Sequence, residues 1–209
     1  TMHKTVLLAK QHGVAIGAHV SLPDLQGFGR REMKILADDA YALTLYQIGA
    51  LSAFARVAGT CVVHVKPHGA LYNMAAKDAV LADAIARAVR YFDAQMTLVG
   101  LAGSELPKAG AALGLAVAHE AFADRRYEAD GSLTPRSMEG AVIKDADTAV
   151  AQAVQIATKG NVDIRAGGTL DLHADTICVH GDRADAALFA RKLREGFKAA
   201  GVEVTKFAG

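Results

Sequence analysis

The chain has 209 residues, 52% of them hydrophobic and 22% charged, with 23 basic against 22 acidic side chains and a formal charge of +1. So even a balance excludes the basic stripe of a nucleic-acid binder and the polybasic surface that seeks anionic membranes, and the apolar content excludes disorder. A core of this length hides roughly 70% of the surface an unfolded chain exposes, so neither disulfides nor metals are required for stability. The expectation is one cytoplasmic globular domain, since no apolar run reaches membrane-spanning length and no signal peptide opens the chain. Cys61 and Cys178 sit in apolar runs and read as buried free thiols.

In chain order, TVLLAKQHG reads as the body of a helix closed by Gly13. A chain that opens at Thr1 on a helix reads as trimmed upstream. VAIGAH (14–19) is the first strand-like run, and a helix capped by Asp38 or Asp39 is expected to run through Val57 and stop at Gly59. CVVHVK (61–66) is the second strand, and Asp78 caps a helix reaching Tyr91. MTLVG (96–100) and LAVAHE (115–120) follow as strands around a weaker helix over 103–113. Residues 123–140 are irregular, with a hairpin signal at Asp130-Gly131, and an excursion of that size suits a binding loop. A helix over 145–158, the strand TICVHG (176–181) and a helix capped by Asp182 complete the chain. The last helix sets Leu188, Phe189, Leu193 and Phe197 on one face and stops at Gly201. Alternating apolar strands and amphipathic helices predict an α/β fold with a parallel sheet.

The histidines mark the chemistry. His19, His64, His119 and His180 fall at or near the carboxyl ends of strand runs, and His68 follows one of them. Parallel α/β folds bind ligands at that end of the strands. Any one of these is as well explained by a hydrogen-bonded strand end, but the set points to a shared rim. His3, His12 and His173 read as surface residues.

Within His64-Val65-Lys66-Pro67-His68-Gly69 the period of two sets His64 and Lys66 on one side. A lysine between imidazoles binds anions or steadies developing negative charge, while the imidazoles move protons near neutral pH. Lys66 is otherwise a solvated strand-end residue, and Tyr72 and Asn73 either orient a ligand or begin a loop. In GAHVSLPDLQGFGRR, His19 and Asp24 read as acid–base partners or as ligands of a divalent metal, with Arg30 and Arg31 presented by a glycine turn. The alternative there is a connector with solvated arginines. His119-Glu120 leads into Asp124, Arg125, Arg126 and, further on, Arg136; a buried Glu120 suits proton transfer, and the arginines suit a carboxylate or phosphate. A surface ion-pair network explains those arginines equally well. His180-Gly181-Asp182 follows the last strand. No phosphate loop, nucleophile elbow, Cys-x-x-Cys or His-Glu-x-x-His pattern occurs. Proton transfer with anion stabilisation on a small polar substrate remains, with a mononuclear metal still open.

HGVAIGAHVSLPDLQGFGRR, LYQIGAL, HVKPHGALYN, LVGLAGSE, HEAFADRRYEADGSLTPRS and TICVHGD, in order along almost the whole chain, resemble the LamB/YcsF family. The resemblance implies a TIM-like (β/α)7 barrel of the glycoside hydrolase/deacetylase type. It also implies ATP-dependent hydrolysis of 5-oxoproline to glutamate in a complex with the B and C subunits of a 5-oxoprolinase. The family's opening Asp-x-Asn-x-Asp-x-Gly-Glu and Ala-Cys-Gly-Phe-His-Ala-Gly-Asp motifs are not in this sequence, and Val20 stands where the family has proline. Residues 1–209 therefore read as one barrel domain lacking its first two strands, with apolar surface that invites a homo-oligomer.

Residues and resemblance together suggest that ATP phosphorylates the lactam oxygen and water then opens the ring. In that scheme Lys66 with Arg125 or Arg126 holds phosphate or carboxylate charge, His64 or His68 transfers protons, and Glu120 or Asp124 orients water. His19, Asp24, Arg30, Tyr72, Asn73 and His180 complete the binding set. Two alternatives stay open: a metal-dependent hydrolase of a carbohydrate amide, with His19 and His64 or His68 as ligands, or a non-catalytic substrate-binding subunit.

Overall fold

The computed structural model describes residues 1–182 and 184–205, which divide into two compact units, Thr1–Ala118 and His119–Thr205. The elements follow the expected alternation: α1 (Met2–Gln11), β1 (Ile16–Ala18), α2 (Ala37–Val57), β2 (Val62–Val65), α3 (Gly69–Ala75), α4 (Ala79–Phe92), β3 (Thr97–Leu101) and α5 (Glu105–Ala112). Then come β4 (Ala116–Phe122), in which the unit boundary falls, α6 (Ala146–Lys159), β5 (Asn161–Asp163), β6 (Thr169–Asp171), β7 (Thr176–Cys178) and α7 (Ala186–Ala199). No helix among the described residues is long and apolar enough to cross a membrane.

In the first unit β1, β2 and β3 run parallel, with Gly17 opposite His64 and His64 opposite Thr97. β3 is buried at every position, as a continuous Leu/Val run in a covered parallel sheet should be. Val6, Ile48, Leu71, Ile85 and Leu98 form the centre of its core, and each is almost wholly removed from water. The Asp78 carboxylate accepts the Val80 and Leu81 amides and caps α4 as expected. Leu36, however, holds the cap position of α2; Asp38 and Asp39 sit in its first turn, where they favour the helix dipole instead. Cys61 is exposed because the chain is still leaving the Gly59 turn when it reaches it, whereas Cys178 lies buried in β7; neither is in a disulfide.

In the second unit β4 and β7 are parallel, pairing Glu120 with Thr176 and Phe122 with Cys178. α6 and α7 pack on each other, with Gly196 against Val150, where a side chain would clash. Phe189, Leu193 and Phe197 fill the core between Ala149, Ala153 and Ile143. Leu188 departs from expectation and is 56% exposed, because the buried stripe follows the i, i+4, i+8 row and Leu188 lies one residue off it. The last helix has Asp185, not Asp182, at its cap position. The Asp130-Gly131 signal is realised as a tight turn, in which Glu128 and Ser132 are hydrogen bonded and Tyr127 pairs with Leu133. Three elements were not legible: the short helix α3 and the two strands of the antiparallel β5–β6 hairpin.

Candidate functional site

In the first unit the ladder between β1 and β2 continues past both strands. The Lys66 amide donates to Ala18 O (2.9 Å) and the His68 amide to Val20 O (2.7 Å), so His19 and His68 are held side by side. His19 Nδ1 lies 2.8 Å from Lys66 O and His68 Nε2 lies 2.7 Å from Phe28 O. A carbonyl only accepts, so each of those nitrogens carries a hydrogen. The other two, His19 Nε2 and His68 Nδ1, face each other at 3.0 Å. In two neutral rings both would be lone pairs, so this contact becomes a hydrogen bond when the pair holds one proton more than two neutral imidazoles.

The loop after β1 is built to supply that Phe28 carbonyl. Gln47 of α2 clasps Ser21, donating to its oxygen and accepting its amide. Asp24 is bound by Arg31 and by the Gly27 amide rather than by His19, and the Arg31 guanidinium holds its carboxyl down at about 2. Phe28 adopts a left-handed conformation (φ 56°) that turns its carbonyl to His68 and sets its ring edgewise to the imidazole, while the Arg30 guanidinium lies over the Phe28 ring. Gly29 and Gly69, both left-handed, pack against each other, and the Ala70 amide donates to Gly29 O (2.8 Å). The amides of Gly27, Phe28, Gly29 and Arg30 are all spent inside the loop, so this glycine turn is no phosphate cradle. His64 is largely buried with its ring against Gly17; burial first, and then the Lys66 charge, lowers its pKa and keeps it neutral. Tyr72 is buried within α3, while Asn73 is exposed on the same helix.

In the second unit β4 carries on two residues past Glu120, so Glu120 and His119 are interior strand residues rather than strand-end groups, and the Glu120 side chain is buried. Asp124 follows the strand and accepts from His180 Nδ1 at 3.1–3.2 Å, while Arg136 Nη2 donates to His180 Nε2 at 3.0 Å. The guanidinium has no lone pair, so Nε2 is the acceptor and the hydrogen of neutral His180 sits on Nδ1, aimed at Asp124. Burial pushes the Asp124 carboxyl up, but His180, Arg136 and Arg125 outweigh it and hold it below the usual range. The Phe122 ring stacks on His180 at 5.8 Å.

Arg125 is buried and donates to Thr134 O, tying down the excursion, whereas Arg126 is half-buried with its backbone paired to Ala141 and Thr134. Sequence reasoning missed the supports beneath them. Gln152 of α6 donates to the carbonyls of Phe122 (2.9 Å), Ala123 (3.1 Å) and Arg125 (2.9 Å), and Tyr127 Oη accepts the Phe122 amide (2.8 Å). The available signal was a polar residue on a buried helical row, Ala149-Gln152-Ala153-Ile156.

Among the described residues no group of three His, Cys, Asp or Glu side chains is placed to hold a metal ion.

The sequence model of the LamB/YcsF family matches residues 1–209. A Methylococcus capsulatus protein, named as the A subunit of 5-oxoprolinase, is 56% identical over 208 residues, which is 100% of this chain and 80% of that protein. Its Bacillus subtilis namesake is 55% identical over 98% of this chain and 79% of its own length. The crystal structure of a lactam utilization protein from Thermus thermophilus superposes with a TM-score of 0.90 at 47% identity, covering 99% of this chain and 82% of that one.

Proposed function

The chain belongs to the LamB/YcsF family, and from that premise we propose that it is the A subunit of a 5-oxoprolinase, opening the lactam ring of 5-oxoproline to glutamate at the expense of ATP and working with B and C subunits. The observation that carries the reading is the sequence match of more than half of all positions to relatives bearing that subunit's name, over the whole chain. The same reading takes residues 1–209 as one domain of a TIM-like (β/α)7 barrel in the cytoplasm.

The chemistry fits the groups each unit supplies. The γ-phosphoryl group passes from ATP to the lactam oxygen, releasing ADP; a first water adds to the activated carbon and the C–N bond breaks onto nitrogen with a proton, leaving an acyl phosphate that a second water cleaves to glutamate and phosphate. In the first unit Lys66 provides fixed positive charge, the His19–His68 pair holds or yields one proton, and His64, packed against Gly17, stays neutral. In the second, Asp124 holds His180 in the tautomer whose Nε2 can take a proton from water. ATP phosphates fall to side chains, since the glycine turn has no amides to offer.

The test is release of glutamate and phosphate from 5-oxoproline and ATP by this chain with its B and C subunits, for wild type and for Lys66→Ala and His68→Ala. Each variant is expected to lose at least tenfold in kcat. Turnover within about threefold of wild type in both, a barrier change under ~1 kcal/mol, overturns the assignment.

A further inference from the structure

We propose that Arg136 caps the basic nitrogen of His180 and surrenders it to an incoming oxyanion, so that the Asp124–His180 pair accepts a proton only when an anionic ligand is bound. This deepens the function read above and rests on it only for the identity of the anion.

The argument begins with one lone pair. His180 has a single unprotonated nitrogen, Nε2, because Nδ1–H is committed to Asp124 at 3.1–3.2 Å. Arg136 Nη2 donates to that same nitrogen at 3.0 Å. Donation from Arg136 and uptake of a proton at Nε2 are mutually exclusive, since both need the same electron pair. The guanidinium also brings a full positive charge to the place where an imidazolium would form. Left as it stands, the pair is an idle base.

Arg136 is placed to leave. It lies in the wholly exposed stretch 135–140, whose Met138 amide turns back to Pro135 O at 2.9 Å, whereas Asp124 and Arg125 are buried. A carboxylate or phosphate offers a guanidinium two parallel charge-assisted bonds, which outcompete a single bond to a neutral imidazole. When such an anion takes Arg136, Nε2 is released beside a ligand that carries the anion. His180 then takes a proton from a water oxygen, the imidazolium keeps its Nδ1–H on the Asp124 carboxylate, and the pair passes from net charge −1 to 0. The proton returns to the product's nitrogen. Among the described residues, the charged groups acting on this pair are Arg125, next to Asp124 after β4, and Arg136 from the turn, while the Phe122 ring stacks on the imidazole.

The test follows His180 directly, by two-bond 1H–15N correlation spectra of the histidine-labelled chain, with its signals identified by their loss in His180→Gln. Wild type is expected to show the Nδ1–H tautomer, and Arg136→Gln to bind a proton at His180 at least tenfold more tightly. In wild type, saturating 5-oxoproline, ATP or inorganic phosphate should raise proton affinity similarly, and none should do so in Arg136→Gln. A response to 5-oxoproline identifies the ligand as its carboxylate; a response only to ATP or phosphate supports the cap with a phosphoryl ligand and counts against the lactam at this site. If no anion moves the wild-type titration while 5-oxoproline is still turned over, the cap is overturned and the enzyme assignment stands. An unchanged titration in folded Arg136→Gln also overturns it, and should that variant fail to fold, the wild-type anion series decides alone.

Discussion

His19 Nε2 and His68 Nδ1 face each other at 3.0 Å, and the remaining nitrogen of each ring is pinned to a main-chain carbonyl, that of Lys66 and of Phe28. Two donors fixed outward leave room for one proton to be shared inward between the rings.

Replacing His68 with Phe keeps the ring volume and removes its hydrogen bond to Phe28 O and its polar contact with His19. The Phe28 carbonyl loses its donor and His19 its neighbour, and a loss of about 1–3 kcal/mol in stability is expected. Turnover of 5-oxoproline should fall by about 10²-fold or more, the scale of a lost proton-transfer group. Thermal unfolding and steady-state kinetics on the same preparation check both.

Gly17→Ala tests the seat of His64. Gly17 lies opposite His64 in the β1–β2 pairing, and a Cβ there would overlap the imidazole. The ring must turn out or the strands must part, at about 1–3 kcal/mol. A fall in the urea midpoint is expected, with His64 titrating nearer an ordinary imidazole in NMR because its burial is lost.

Gln152→Leu removes the donor that serves the carbonyls of Phe122, Ala123 and Arg125. The apolar volume remains while buried acceptors go unmet, so about 2–3 kcal/mol should be lost despite the more hydrophobic side chain. Denaturant unfolding of the two proteins measures it; an unchanged midpoint would sink the idea that Gln152 anchors the strand exit.

The pH limits of stability follow from Asp124 and Tyr127. The Asp124 carboxyl is depressed in the folded chain, so its contribution is complete above the unfolded carboxylate range, near about 3.9, and disappears as pH falls through the lower folded value. Burial raises the Tyr127 phenol, so its contribution is complete below the unfolded value, near about 10, and is lost as pH rises through the folded one. Melting temperature recorded from pH 3 to 11 should fall at both ends. Asp124→Asn should flatten the acid limb, and Tyr127→Phe the alkaline limb.

By itself the sequence determined the alternation of parallel strands and amphipathic helices, because burial periodicity and caps such as Asp78 are local properties. It also set His19, His68, Asp124 and His180 at the carboxyl ends of strand runs, and the structure has all four just beyond their strands. The partners of those residues are set by the tertiary structure. Asp24 was open to His19, yet lies with Arg31, and His180 stands between Asp124 and Arg136. Gln152 shows in sequence only as a polar residue on a buried helical row, and the left-handed Phe28 carries no linear motif, for a hydrogen bond across 30 residues or a carbonyl turned toward an imidazole depends on where the backbone passes. Side-chain chemistry is written residue by residue, but which lone pair meets which proton is decided only when distant segments are packed to within about 3 Å.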